Sequence, residues 1–170
     1  MAFTYSTLVE AIKDYTNNTE TTFVSQIDLF ISNAEQRILM EVQLPEFRKN
    51  VSGTLSQDNK YLGLPTDFLA PFSLSVFTSD SYHFLINKDV NFLQESYPDI
   101  TEKGRPLYYA IFNSGNLLVA PMPDIDYSME LHYVYSPAGM SSGNTTTWLG
   151  TNAPDALLYA SLLEAYIFMK

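Results

Sequence analysis

The chain has 170 residues, 46% of them hydrophobic, a length and apolar content that suit one folded core and exclude disorder throughout. Nineteen acidic against nine basic residues leave a formal net charge of −10, which speaks against a surface that grips nucleic acid, because neutralising phosphates needs clustered Lys and Arg. The absence of cysteine excludes disulfides, thiol nucleophiles and Cys-ligated zinc.

The first stretch, MAFTYSTLVEAIKDY, lacks a basic start followed by an apolar run and does not read as a signal peptide. Thr7-x-x-Glu10 has the spacing of a capping box, and Leu8, Ile12 and Tyr15 then share one face of a first helix. TNNTETT, residues 16–22, interrupts with small polar residues that favour caps and turns. A longer helix follows. Phe23, Ile27, Phe30, Ile31, Ala34, Ile38 and Val42 form a stripe at three- and four-residue intervals, with Asp28, Ser32, Glu35 and Gln36 mostly off it. Pro45 stops this helix, since proline lacks the N–H donor and pushes its predecessor out of the helical region.

From Phe47 the period drops to two. Arg48, Asn50, Ser52, Thr54 and Ser56 share a polar face, and Phe47, Val51 and Leu55 the other. The pair Arg48-Lys49 reads as a solvated strand end. Asp58-Asn59 is a turn into a return strand at 60–64. FLAPFSLSVF (68–77) and YHFLIN (82–87) are β-compatible, and Pro71 marks the first as an edge or a broken strand. Asp89 caps a short helix from Val90 to Tyr97, ended by Pro98. PLYYAIF (106–112) and NLLVAP (116–121), joined by Asn113-Ser114-Gly115, make a hairpin. In YSMELHYVYS (127–136), Tyr127, Met129, Leu131, Tyr133 and Tyr135 face one way.

Residues 137–147 are small and polar and read as a mobile loop. Asn152-Ala153-Pro154 opens the last helix, with proline in the first turn where it is tolerated. Leu158, Leu162, Ala165 and Met169 share one face. Leu163, Tyr166 and Ile167 widen the apolar sector, so this helix is expected to pack on more than one side. The order is helices, then strands, then a helix. That predicts an α+β architecture: a helical body with an inserted antiparallel β-rich lobe. The expected divisions are 1–46 and 152–170 for the body, 47–136 for the lobe and 137–151 for a loop.

Chemistry-bearing patterns are weak. There is no GxGxxG and no Walker-type phosphate loop. His83 and His132 are lone strand histidines, which read as surface or satisfied structural residues. Without Cys or an HExxH pattern, zinc is not expected. Asp124-x-Asp126 resembles part of a calcium loop but lacks its glycine and distal glutamate, so it reads as a turn. Glu95 and Asp99 flank a short helix, and no serine lies in a GxSxG elbow. Hence no catalytic, cofactor or metal residue is expected, and no enzyme. No apolar run approaches the ~18 residues of a membrane span.

Several stretches nevertheless stand in one order: a helix stripe ending near EVQLPEFRKN, then YLGLPTDFL (61–69), GRPLYYAIF (104–112), LLVAPMPD (117–124), MELHYVYSP (129–137) and NAPDALLYASLLEA (152–165). In that order and spacing, over nearly the whole chain, the sequence resembles the head-to-tail adaptor proteins of tailed bacteriophages, the connector or tail tubular group that docks beneath the portal. The resemblance implies a structural virion protein in the neck between capsid and tail, assembled in the host cytoplasm. It implies a homo-oligomeric, dodecameric ring that meets the portal protein and a tail tube or nozzle protein. DNA would pass through its channel during genome ejection without sequence-specific binding, and no membrane is involved. Separately, the excess of acidic residues suits either an acidic channel lining, which would not retard DNA, or the outer wall. The departure is at the C-terminus, where adaptors often carry more helix or a tail reaching the portal cleft and this chain stops at Lys170. As core or interface anchors we expect Tyr127, Tyr133 and Tyr135, and Trp148 in the loop before the final helix, because Tyr and Trp are frequent hot spots. The rival readings are a head-completion stopper or tail terminator, a carbohydrate- or receptor-binding module suggested by the aromatic strands, and a tail-associated hydrolase.

Overall fold

In a computed structural model, residues 2–42, 44–99 and 101–170 are described. Gln43, inside the helix-to-strand junction quoted above, lies outside them. The first elements in chain order are α1 (Tyr5–Thr16), α2 (Thr21–Val24), α3 (Ile27–Glu41), β1 (Arg48–Leu55), β2 (Tyr61–Gly63), β3 (Phe68–Thr78) and β4 (Ser81–Asn87). They are followed by α4 (Val90–Ser96), β5 (Tyr108–Asn113), β6 (Asn116–Ala120), β7 (Tyr127–Tyr135), α5 (Trp148–Asn152) and α6 (Pro154–Phe168). The fold mixes α and β, in two compact units: Met1–Leu44 with Pro137–Lys170, and Pro45–Ser136.

In the helical unit, α1 begins earlier than the Thr7-x-x-Glu10 spacing suggests. Thr4 is the N-cap. Its N–H donates to Thr7 Oγ1 (2.9 Å) and its own Oγ1 accepts the Thr7 N–H (3.4 Å). A hydroxyl thus does the work expected of a carboxylate, and Glu10 takes no part in the cap. Asn17 closes α1 with φ 47°, a left-handed conformation that Asn tolerates better than most residues.

The single helix expected from Phe23 is two, α2 and α3, broken at Ser25-Gln26. The Ser25 hydroxyl donates to the Thr22 carbonyl (2.8 Å), a local bond that competes with the helical ladder. The apolar stripe crosses the break because Phe23 and Ile27 serve one core, with Leu8, Ile12, Phe30, Ile31, Ala34, Leu149, Leu157, Leu158, Leu162 and Ala165. α3 ends at Glu41, ahead of Pro45, which opens a 3-10 turn (Pro45–Phe47). Val42 is its exposed C-cap, so the stripe stops short of its last expected member.

Glu35 is the main correction on this helix. Expected off the stripe, it is 4% exposed. Its Oε2 accepts the Met140 N–H (2.7 Å) and its Oε1 accepts the Thr147 hydroxyl (3.3 Å). Burial pushes its carboxyl pKa above the ordinary value, against the lowering effect of those two bonds. The stretch read as a mobile loop is therefore held against α3. Met140 is buried in the helical core, and Asn144 Nδ2 donates to the carbonyls of Ala138 (3.1 Å) and Gly139 (2.9 Å). Thr147 then caps α5, so Trp148 is the first residue of a short helix and not a loop residue.

The other unit is built on one seven-stranded sheet in the order β1-β7-β3-β4-β5-β6-β2. β1 runs antiparallel to β7, from Arg48↔Val134 to Leu55↔Tyr127. The expected return strand after Asp58-Asn59 forms, as β2, but does not pair with β1. It pairs with β6 at the far edge (Tyr61↔Leu118). The turn is tied to the segment after β6: Asp58 N–H donates to the Pro123 carbonyl (3.0 Å), and Gln57 N–H to Asp126 Oδ1 (2.7 Å). That swings β2 across. Pro71 lies where β3 pairs with β7 alone, between register shifts, as a broken strand should.

The expected all-antiparallel lobe also needs correcting. β4 and β5 pair in parallel (Ile86↔Tyr108), with α4 in the crossover between them, the kind of connection a parallel pair needs. Asp89 caps α4 by accepting the Phe92 N–H (2.8 Å). One inner core takes Leu55 from the first strand of the sheet and Leu62 from the last, with Leu74, Val76, Leu85, Tyr109, Leu117, Val119 and Leu131 between. Residues from both edge strands meet in one cluster because the sheet curls until it is nearly closed.

Candidate interaction surfaces

The four residues singled out as anchors occupy interior or semi-interior positions. Tyr127 and Tyr133 are buried in the inner core of the sheet. The Tyr127 hydroxyl donates to Asp124 Oδ1 (2.7 Å), and burial with that bond pushes its pKa up to about 12. The Tyr133 hydroxyl donates to Asp67 Oδ1 (2.9 Å), and the Phe68 ring stacks on Tyr133 at 5.8 Å between centroids. Tyr135 is half-buried against Phe47, with Lys49 Nζ 3.8 Å from its ring centroid. Trp148 packs on the rim of the helical core. All four are structural in the single chain. The first three share the sheet unit and Trp148 belongs to the helical one.

The polar suspects are satisfied locally. Lys49 bridges Asp67 (2.8 Å) and Arg48 lies 4.1 Å over the Phe72 ring, so this pair is more than a solvated strand end. The hydrogen bond from Lys49 holds the Asp67 carboxyl below its ordinary range. His132 Nδ1 meets Ser73 Oγ (3.0 Å), and His83 Nε2 meets Thr78 Oγ1 (3.0 Å). Glu130 accepts from Asn50 Nδ2 (2.9 Å), which holds its carboxyl low. Asp124 and Asp126 take the Tyr127 hydroxyl and the Gln57 N–H, which makes them turn residues. Among the described residues, no three His, Asp or Glu side chains converge as metal ligands, and no helix is long and apolar enough to cross a membrane.

What stays uncovered is apolar, and it was only half legible in the sequence. α6 buries Leu157, Leu158, Leu162 and Ala165 against α1 and α3. Its opposite face carries Tyr159, Leu163, Tyr166 and Ile167, each 50–61% exposed, at helical spacing and with no charged residue among them. Apolar residues on two opposite sides of one helix are the pattern of a helix packed on more than one side, with Glu164 between them paired to Arg37 (2.6 Å). The breadth of the apolar sector was the available signal. Which side the chain itself would cover was not readable. In the sheet unit, Phe77, Tyr82, Phe84 and Ile86 project from the outer face of β3 and β4, with Phe77 and Tyr82 rings 5.0 Å apart. The outer face of β1 and β7 beside them is polar, with Asn50, Ser52, Thr54, Ser128 and Glu130.

No curated protein matches the chain. The family model described as SU10 adaptor protein matches residues 3–170. Adaptors of this kind are structural components of the phage virion and work in contact with other virion proteins. With the match running over nearly every residue of both units, the chain belongs to the SU10 adaptor protein family of phage adaptor-type proteins.

Proposed function

We propose that copies of this chain close into a dodecameric ring in the virion neck, beneath the portal, continuing the DNA channel toward the tail. The helical unit is the body of the ring and the sheet unit is the inserted lobe that meets a tail tube or nozzle protein. The role is connection and sealing, without turnover. The observation that carries it is the outward face of α6, a second apolar side whose four large side chains stay 50–61% exposed, with the Tyr166 hydroxyl reaching back to donate to the Tyr15 carbonyl (3.3 Å).

Four half-exposed large side chains offer about 400 Å² of largely apolar area, taking roughly 100 Å² each. At ~25 cal/mol per Å² that is on the order of 10 kcal/mol gross per contact. Association costs of similar size consume most of it, so one such contact is weak. A closed ring in which every copy makes two is far stronger than an isolated pair. The net charge of −10 suits a channel through which DNA must slide without adhering.

Native mass spectrometry of the chain, alone and with portal rings, tests the reading. A cyclic oligomer that adds to portal is expected, and Leu163→Glu with Tyr159→Glu should abolish it while circular dichroism stays unchanged. A chain that remains monomeric at high concentration with portal present would rule the ring out. A cyclic oligomer that joins completed tails and ignores portal would instead identify a tail terminator.

A further inference from the structure

We infer that a groove on the outer face of the sheet unit receives an extended, arginine-bearing segment of a partner protein, laid beside β2. The groove is a cavity of about 450 Å³ over β6 and β2, walled by α4 and the stretch after it. Its size is that of a ligand site. Leu93, Leu118 and Ala120 form an apolar base, and Tyr61, Tyr97 and Phe112 give it aromatic walls, with the Tyr61 and Phe112 rings 5.2 Å apart.

The charged lining is unbalanced: Asp58, Asp99 and Glu102 against Lys60 alone. Lys103 bridges Asp58 at 2.6 Å. Asp99 uses one oxygen, Oδ1, for the Thr101 N–H (2.8 Å) and hydroxyl (2.7 Å). Glu102 pairs with no cation among the described residues. Lys60 Nζ already lies 5.6 Å from the Tyr61 ring centroid, which shows that this wall accepts a cation. A guanidinium is the group that can lie flat on such rings and bond a carboxylate bidentately.

Backbone geometry supplies the second element of the fit. β2 ends the sheet. The bonds Val119 N–H to the Lys60 carbonyl (2.9 Å) and Leu64 N–H to the Gly115 carbonyl (2.8 Å) turn residues 60 and 64 toward β6. By alternation Tyr61 and Gly63 turn outward. The Tyr61 N–H is taken by Asn59 Oδ1 (3.0 Å), whereas the Tyr61 carbonyl and both Gly63 groups have no partner among the described residues. No atom lies within 4 Å of the place a Gly63 Cβ would take, so the outer face above this end of β2 is open. A strand added at this edge pairs with those groups and drops alternate side chains into the groove. This contact involves neither the ring nor α6, and so extends beyond the function proposed above.

Isothermal titration of the full chain with Ac-Thr-Arg-Val-Arg-Thr-NH2 and its Gln-for-Arg counterpart tests it. The arginine peptide is expected to bind at least tenfold tighter, and less tightly as salt is raised. Glu102→Gln and Phe112→Ala should each weaken binding about tenfold, the scale of one lost hydrogen bond to a charged group. Lys60→Glu should tighten it, which a merely misfolded variant cannot do. Leu163→Glu should leave it unchanged, so that failure of the ring and failure of the groove are told apart. Equal affinity for the two peptides, no heat from either at millimolar concentration, or indifference to Glu102→Gln and Phe112→Ala would overturn the inference.

Discussion

Glu35→Ala tests how the segment after the sheet unit is held. The Met140 N–H would lose its acceptor at 2.7 Å in a site where Met140 is buried. An orphaned buried donor costs about 1–3 kcal/mol. The longer Thr147 contact, 3.3 Å, adds roughly 0.5 kcal/mol. Relief from burying a carboxylate offsets part of this, so the net loss expected is ~1–3 kcal/mol. Trp148 is the sole tryptophan and sits next to Thr147, so its fluorescence in urea reports this unit. Glu35→Gln preserves shape and one acceptor and should lose only ~1 kcal/mol near neutral pH. It also removes a titration. The Glu35 pKa is raised above 4.5 by burial, so the folded state holds its proton more tightly than the unfolded one. Stability linked to this group is therefore fully present below pH 4.5 and is lost as pH rises through the folded value. The gap between wild type and Glu35→Gln should be widest below pH 4.5 and shrink toward neutrality. A Glu35→Ala loss below about 0.5 kcal/mol, or a pH-independent gap, would refute the latch and the buried charge respectively.

Gly150→Ala should destabilise the helical unit by ~1–3 kcal/mol, read by the same fluorescence, because a new Cβ has to displace neighbours. It would stand 2.4 Å from Met140 Cε and 2.8 Å from the Phe3 carbonyl oxygen, and the latter is backbone that cannot swing aside. Thr4→Ala removes the N-cap of α1 and should lower stability by ~1 kcal/mol, visible as faster amide exchange over the first turn. In an ultraviolet titration of tyrosinate, Tyr127→Phe should delete one phenol from the last phase, near pH 12. Since its folded pKa lies above the ordinary 10, the Tyr127 contribution to stability is intact below pH 10 and is lost as pH climbs through about 12.

Local periodicity carried much of the fold. The three- and four-residue spacing from Ile27 to Ala34, the alternation of Tyr127 to Tyr133 and the proline at the start of α6 each determine an element by short-range sterics and one buried face. The hairpin of β5 and β6 was readable because three loop residues between apolar runs leave few other geometries. Strand partners were not readable at the same range. β2 follows β1 by five residues yet pairs with β6, because the turn is bonded to residues more than sixty positions away. Helical spacing likewise put Glu35 mostly off the buried stripe, and only the arrival of Met140 and Thr147 from the far end of the chain makes its burial tolerable.

The same division holds for the candidate surfaces. Tyr127, Tyr133 and Tyr135 were marked by residue type, but type does not say whether an aromatic points into the core of its own sheet or toward a neighbour. The sequence by itself determined that α6 is apolar on more than one side. Only the tertiary structure decided which side the chain keeps for its own core and which it leaves bare, because a side chain counts as covered only when other segments, far off in sequence, are packed on it.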